Sequence, residues 1–540
     1  MPTISLKTFA GLRPLSDSIL LAEPEATVAN NVKLVSGTLA PLLGTTTLKA
    51  TTKTNPTNIW RYGTDSNETN YWLEFTSDTD VVTSPISADP YQRIYWSDGS
   101  QIKMGVNSSI ISGSTYPGSG YILGVPAPAA APTISGTAPS IASTSTTLTA
   151  VYTYVSAYGE EGLPSAAAVT AIIDPAQNIT VSGMTSAPTG NYNIATKRIY
   201  LSSTVGNQAQ FQFWKEVAVG VVTTTGAYNQ SDLGEILPSE YWNPPPAALK
   251  GIKMTGISAM IGFDGNTAYL SEPNLPHAFP HVYPIDMQIV GIGVFGQSAV
   301  LLTNGYPYLM YGADPQAMST QKLAYPWACL SKRSIVDTGD GTIYASADGL
   351  VMVSGAGMSM LTQQIFTIEQ WRALNPSSIS AALYNHRYFF TFTRTDGSRG
   401  LYIIDLSGQG SVLVTSDLNT TTAITAMYAD PRTDTLYLVQ GGNIVRWDRG
   451  SALTYTWRSK TFRAPYPMNF GVAQILANAY PVTLNVYADG VQKATKTVTN
   501  AEAVRLPSGF RSRDWQLEVV SSNTVTEVNM ATSVAEIRSV

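Results

Sequence analysis

Short runs in which apolar and polar residues alternate, each cut after a few positions by Gly, Asp, Asn or Ser, recur along most of this chain. Ile59-Trp-Arg-Tyr, Asn70-Tyr-Trp-Leu-Glu-Phe and Arg93-Ile-Tyr-Trp are early instances; Ile343-Tyr-Ala-Ser-Ala-Asp-Gly-Leu-Val-Met-Val, Leu401-Tyr-Ile-Ile-Asp-Leu and Leu436-Tyr-Leu-Val-Gln-Gly-Gly-Asn-Ile-Val-Arg-Trp are later ones. Alternation with period two gives a strand one buried face, and the intervening turn residues predict hairpins. A chain written this way is restricted to mainly β architectures. Charged residues are only 13% of the 540, whereas hydrophobic residues are 44%. Packed cores follow from that balance, and disorder is excluded.

At this length several domains are expected. Residues 1–45, broken by Pro14, Pro24 and Pro41, read as an N-terminal arm; Glu25 to Leu34 within it suits either two helical turns or an extended segment. Strand cassettes fill 46–126 and resume over 248–450. Hairpins repeated in this manner are how propeller blades are written, so these two stretches predict the two parts of one propeller-like domain. Between them, Pro126-Ala-Pro-Ala-Ala-Ala-Pro132 and Pro244-Pro-Pro246 bracket residues 127–247. There Thr147-Leu-Thr-Ala-Val-Tyr-Thr-Tyr-Val-Ser alternates, and Lys197-Arg-Ile-Tyr-Leu and Gln210-Phe-Gln-Phe-Trp follow. An inserted immunoglobulin- or fibronectin-like β-sandwich is the expectation. Residues 451–540 read as a C-terminal β domain with a hairpin turn at Asp489-Gly490. One helix is predicted at Thr367-Ile-Glu-Gln-Trp-Arg-Ala-Leu, where Thr367 and Gln370 have capping-box spacing.

None of the chain's chemistry-like motifs has the sequence context that its chemistry requires. Gly291-Ile-Gly-Val-Phe-Gly296 spells a dinucleotide fingerprint, but a strand-like run follows where a helix is required. His277 and His281 are four apart, yet Pro276 and Pro280 forbid the helix that would align them. His386 reads as a sheet residue. Glu160-Glu161 lie in an expected turn, where a solvated pair is anticipated rather than the two flanking carboxylates of a glycosidase. Ser97-Asp-Gly and Ser346-Ala-Asp-Gly read as hairpin turns, and Asp337-Thr-Gly-Asp-Gly341 has too few ligands for calcium. Lys332-Arg333 and Arg511-Ser-Arg513 are too small for nucleic-acid patches. No residue is therefore assigned a catalytic, cofactor-binding or metal-ligating role, and the chain is expected not to be an enzyme.

Cys329 is the only cysteine, which excludes an intramolecular disulfide. No apolar run approaches the ~20 residues of a membrane helix, so direct membrane insertion is not expected. The opening Met1-Pro-Thr-Ile-Ser-Leu-Lys lacks a signal-peptide layout, pointing to assembly in the cytoplasm.

Several stretches resemble the tail nozzle proteins of short-tailed bacteriophages, the tail tubular protein B family. They are Phe9-Ala-Gly-Leu-Arg-Pro-Leu, Ala26-Thr-Val-Ala-Asn-Asn-Val-Lys-Leu, Tyr154-Val-Ser-Ala-Tyr-Gly-Glu-Glu-Gly-Leu-Pro-Ser, Lys197-Arg-Ile-Tyr-Leu-Ser and Gly262-Phe-Asp-Gly-Asn-Thr-Ala-Tyr-Leu-Ser-Glu-Pro. Pro276-His-Ala-Phe-Pro, Ala328-Cys-Leu-Ser-Lys-Arg-Ser-Ile-Val-Asp and Tyr344-Ala-Ser-Ala-Asp-Gly-Leu-Val extend the likeness over most of the chain. The resemblance implies a propeller-based virion protein forming a homohexameric lower tail tube. Such a tube docks on the tail adaptor and portal, contacts tail fibres and a plug or needle, and lets viral DNA pass at ejection without specific binding. It implies no cofactor and no catalytic residue. The alternatives are a receptor-binding tail fibre or spike, or a glycan-degrading, sialidase-like tail protein. A net charge of −5 suits a wall along which DNA slides.

Overall fold

The computed structural model describes residues 3–34, 36–63, 67–141, 145–205, 208–406 and 412–537, so the first two residues of the expected arm and the last three of the expected C-terminal domain lie outside it. The chain forms two compact units: Met1–Ser77 with Leu302–Tyr308 and Lys322–Val540, and Asp78–Leu301 with Leu309–Gln321. Strands dominate both. The α-helices among the described residues are only four or five residues long.

The recurring element is a sheet of four strands joined in sequence order. One runs through Asp80–Thr83, Ile94–Ser97, Lys103–Gly105 and Tyr121–Ile122, and another through Lys250–Met254, Met260–Asp264, Thr267–Leu270 and His281–Pro284. A third comprises Ile289–Phe295, Ser298–Thr303, Tyr308–Tyr311 and Ser319–Lys322, and a fourth Val336–Asp337, Gly341–Ala345, Leu350–Ser354 and Gly357–Met360. The fifth is closed from afar: Ile424–Asp430, Thr435–Gln440 and Asn443–Arg446 take their outer strand, Thr46–Ala50, from the N-terminal side of the chain. Blade-sized sheets of this kind make the architecture mainly β and propeller-like.

The first unit also holds a ten-stranded sheet. Ser380–Tyr384, Arg387–Thr393, Arg399–Asp405 and Val412–Ser416 lead into Ala26–Asn30, which pairs parallel to Val412–Ser416 and antiparallel to Tyr455–Ser459. Ser512–Ser521, Val482–Ala488 and Val491–Val498 continue it, and Phe462–Met468, the tenth strand, pairs with Ser512–Ser521 off this path. The Glu25–Leu34 stretch is thus extended rather than helical. Residues 451–540 share this sheet with strands that precede them. Ile4–Leu6 pairs with Val525–Ala531, and Phe9 packs edge-on to Trp457 at 5.0 Å, so the N-terminal residues are built into the core around Trp457, Trp515 and Phe470.

The insert is a β-sandwich. One three-stranded sheet contains Thr133–Gly136, Asn178–Ser182 and Thr224–Ala227; the other contains Ala150–Ser156, Ile194–Val205 and Gln208–Ala218. Their inner faces enclose Leu148, Tyr152, Tyr154, Ile179, Val181, Ile199 and Leu201. Ala150–Ser156 is buried on both faces, because Val151 on its outer side packs with Tyr200 and Leu237. The predicted helix forms over Ile368–Arg372, with Thr367 and Gln370 in a reciprocal capping box.

Candidate functional site

The motifs that resembled cofactor, metal or catalytic sites are spent on turns and packing. Gly291 to Phe295 lies inside the strand Ile289–Phe295, and Gly296, at φ +52°, turns the chain into the strand Ser298–Thr303. Ser97-Asp-Gly and Ser346-Ala-Asp-Gly lie in hairpin turns: Ser97 donates to the Leu249 carbonyl, and Ser346 Oγ to the Gly349 carbonyl at 2.9 Å. Asp337 to Gly341 links two short strands, with Thr342 donating to Asp337 at 3.0 Å. His386 is not a sheet residue. With Asn385 it forms a two-residue hairpin turn, both at positive φ (50° and 56°), and it is exposed. Adjacent positive φ values match the strand twist, which is why an Asn-led pair occupies this corner.

His277 and His281 part company. His281 meets Glu272 at 3.2 Å at the start of an edge strand. His277 is buried edge-on against Trp242 at 5.8 Å, and its Nε2 has no hydrogen-bond partner among the described residues. Burial, reinforced by Arg93 and opposed by a hydrogen bond with the Glu161 backbone, pushes its pKa down to about 4. No group of three or more His, Cys, Asp or Glu side chains able to hold a metal occurs among the described residues.

Glu160 and Glu161 overturn the expectation of a solvated pair: both are buried, at 6% and 2% exposure. The strand Ala150–Ser156 ends in a tight turn through Gly159 (φ +79°), after which Ser156 N–H donates to the Glu160 carbonyl and Gly162 N–H to that of Tyr154. Two consecutive residues on such an extended return point to opposite sides. Glu161 turns toward its own sandwich, accepting from Thr153 Oγ1 at 2.7 Å, Tyr200 OH at 2.7 Å and Arg198 Nη1 at 3.1 Å. Glu160 accepts from Ser156 Oγ at 3.1 Å and reaches Arg93 Nη1 at 3.4 Å. Arg93, immediately before the strand Ile94–Ser97 of the neighbouring four-stranded sheet, also donates through Nε to Asp89 at 2.8 Å.

The electrostatics of this cluster are those of a buried joint. Burial raises the Glu160 carboxyl pKa, against the pull of Arg93 and Ser156. Burial would raise that of Asp89 too, but hydrogen bonds from Arg93 and the Tyr91 N–H hold it below its ordinary value. Each carboxylate is committed to a partner, and Glu160 and Glu161 serve separate networks. They do not face a common cleft as a glycosidase pair must.

A second network lies in the other unit. Asp430, with its side chain wholly buried, accepts from Arg61 Nη1 at 2.9 Å and from Arg432 Nε and Nη2 at 2.8 and 3.0 Å. Glu68 takes Arg446 Nε at 2.6 Å and Tyr437 OH at 2.7 Å. These bonds tie the hairpin Asn58–Arg61/Trp72–Phe75 to the distantly closed sheet. Nearby, Thr45, Thr47, Thr420, Asn443 and Gln440 line an open cleft of about 470 Å³ that lacks any aromatic or charged platform beyond Asp417.

No known family model matches the chain. No curated protein matches it either. Among solved structures, it is similar to the crystal structure of BBS1N in complex with ARL6DN, at 9% identity over 68% of this chain and 90% of that one, with a TM-score of 0.27. It is similar to the mitotic checkpoint complex at 10% identity over 72% and 98%, TM-score 0.25. It is also similar to PorZ of Porphyromonas gingivalis at 12% identity over 88% and 82%, TM-score 0.26. Likenesses at that level carry no argument about function.

The Arg93–Glu160–His277 cluster is not legible in the local sequence. The one available signal was two adjacent glutamates in a chain with only 13% charged residues. Nothing local says which arginine meets them.

Proposed function

We propose that this chain is a structural protein of a short-tailed phage tail, the nozzle through which the genome leaves. The observation that carries the reading is what the resembling stretches do. Gly262 to Pro273 forms a hairpin whose Gly262 has no room for a Cβ, with Leu249 side-chain atoms 2.8–3.0 Å from that position. Ser271 both donates to the Glu272 carbonyl and accepts from Met260 N–H. Tyr154 to Ser165 supplies the two buried glutamates, and Lys197 to Leu201 supplies Arg198 and Tyr200, which bind one of them. Each of these stretches serves architecture, as befits a tube wall. A glycan-degrading reading requires convergent, accessible carboxylates, and the buried glutamates are already bound.

The test is symmetry. Electron microscopy of the purified protein, or of the particle that contains it, should show a six-fold ring with an axial channel. A three-fold fibre, or release of reducing sugar from host envelope glycans that a single carboxylate substitution abolishes, would refute the proposal. The same ring should not bind duplex DNA at sub-micromolar affinity in ~0.15 M salt, because a conduit that neutralised many phosphates would gain by counterion release and hold its cargo.

A further inference from the structure

The inserted sandwich and the sheet beneath it keep separate cores. Leu123 packs with Tyr95, Ile102, Met104, Leu249 and Phe279, whereas Val125, two residues on, packs with the sandwich interior. Between them stands Gly124 at φ +95°, where a Cβ would lie 2.6 Å from Pro245 and 2.8 Å from Pro244. The incoming and outgoing connections therefore touch at one point, and one residue of permissive backbone separates the two cores.

The insert is seated by mixed polar and aromatic contacts, among them His277, outside the insert, which meets Trp242 edge-on at 5.8 Å and bonds to the Glu161 backbone. Arg93 reaches Glu160. Tyr158 lies between Tyr91 and Tyr121, with ring centroids 4.7 and 5.9 Å away, and it is the only insert side chain packed against the neighbouring core cluster among the described residues. Asn191 accepts from Ile122 N–H through its carbonyl at 2.8 Å and donates from Nδ2 to the Gly120 carbonyl at 3.3 Å. Interfaces of this composition between independent cores permit rigid-body motion.

We propose that the sandwich is a hinged module that pivots about Gly124 and the facing prolines, held seated by a lock of Arg93 on Glu160 and Tyr158 between two tyrosines.

Nitroxide labels on Ala176→Cys, in an exposed turn of the insert, and Gln297→Cys, in an exposed turn of the same unit, report the distance across the hinge by double electron–electron resonance on the full chain. The native Cys329 is buried and its thiol pKa is pushed up to about 12, so it does not compete for label. Arg93→Met and, independently, the milder Tyr158→Ser should each add a second, longer distance population. Amides of Ala150–Ser156 should keep their exchange protection while Ile122 N–H loses it. An unchanged distance distribution in both variants overturns the proposal. So does joint loss of protection in the sandwich strands and Ile122, which would make insert and sheet one cooperative body. Should Arg93→Met fail to fold, Tyr158→Ser decides alone.

Discussion

Two Arg–carboxylate clusters of similar geometry should differ several-fold in worth because one is buried. Asp430 accepts three charge-assisted bonds of 2.8–3.0 Å, and its side chain and that of Arg61 are 0% and 1% exposed. Asp514 accepts two bonds of 2.8 Å from Arg463, but there the side-chain exposures are 25% and 56%. Removing one partner of a buried pair costs about 3–5 kcal/mol, since a guanidinium stays behind in low dielectric; an exposed pair contributes about 0–1 kcal/mol. The unit holding Asp430 has about 300 residues, and at ~2.1 cal/mol/K per residue its unfolding entropy is about 0.6 kcal/mol/K. Asp430→Ala should therefore lower that unit's melting temperature by about 5–8 °C, and Asp514→Ala by less than about 2 °C. Scanning calorimetry, with urea denaturation as a check, reads both. Adding Arg61→Met to Asp430→Ala should recover part of the loss, because it withdraws one of the stranded charges. Equal shifts for the two aspartates, or a cost below about 1 kcal/mol for Asp430→Ala, would refute the claim that burial sets the scale.

Glu160 has a pKa raised above its unfolded value of ~4.3, so its contribution is fully present below that value and lost as pH rises through the folded pKa. Glu160→Gln, which keeps the shape without the charge, should accordingly gain on the wild type with rising pH in denaturation curves; a constant difference across pH 4–8 would contradict this. His277 has the opposite sign: its pKa falls to about 4, so its stability is present above ~6.5 and lost as pH drops through 4, an effect of at most about 3 kcal/mol that His277→Gln should remove from the acid limb. Replacing residues 127–247 by a short linker should leave a cooperatively melting remainder, because that segment carries its own core apart from Tyr158. Loss of any cooperative transition would show that the insert is not an independent domain.

What could be read from the residues was whatever depends on neighbours in sequence. Asp489-Gly490, at φ 47° and 77°, makes the expected hairpin turn, and Thr367 with Gln370 caps the expected helix. Both signals act within a few residues. Pairing across hundreds of residues left no such trace. Thr46–Ala50 completes a sheet with Asn443–Arg446, and Ala26–Asn30 slots between two strands that begin at 412 and 455. Nothing in those short segments specifies a partner. The glutamates fail for a related reason. Gly159 and Gly162 mark a turn correctly, but whether a turn meets water depends on what packs over it, and Arg93 and Arg198 arrive from elsewhere in the chain.

The two networks, with the Arg458–Glu518 pair between Tyr455–Ser459 and Ser512–Ser521, show how so lightly charged a chain uses many of its arginines. Arg61, Arg93, Arg198, Arg446 and Arg458 are each bound to a carboxylate belonging to another strand or turn, with Arg458 meeting Glu518 at 2.5 Å, and Arg432 closes locally on Asp430 two residues before it. Arginine suits this task because its planar fork holds two acceptors in fixed directions, so one side chain can set the register of two elements. An arginine committed in this way gains little by meeting a phosphate, since it would first give up a carboxylate in a poorly solvated place. On the proposed reading of the chain as a tube wall, arginines held this way would stiffen the wall without adding to its affinity for a passing polyanion.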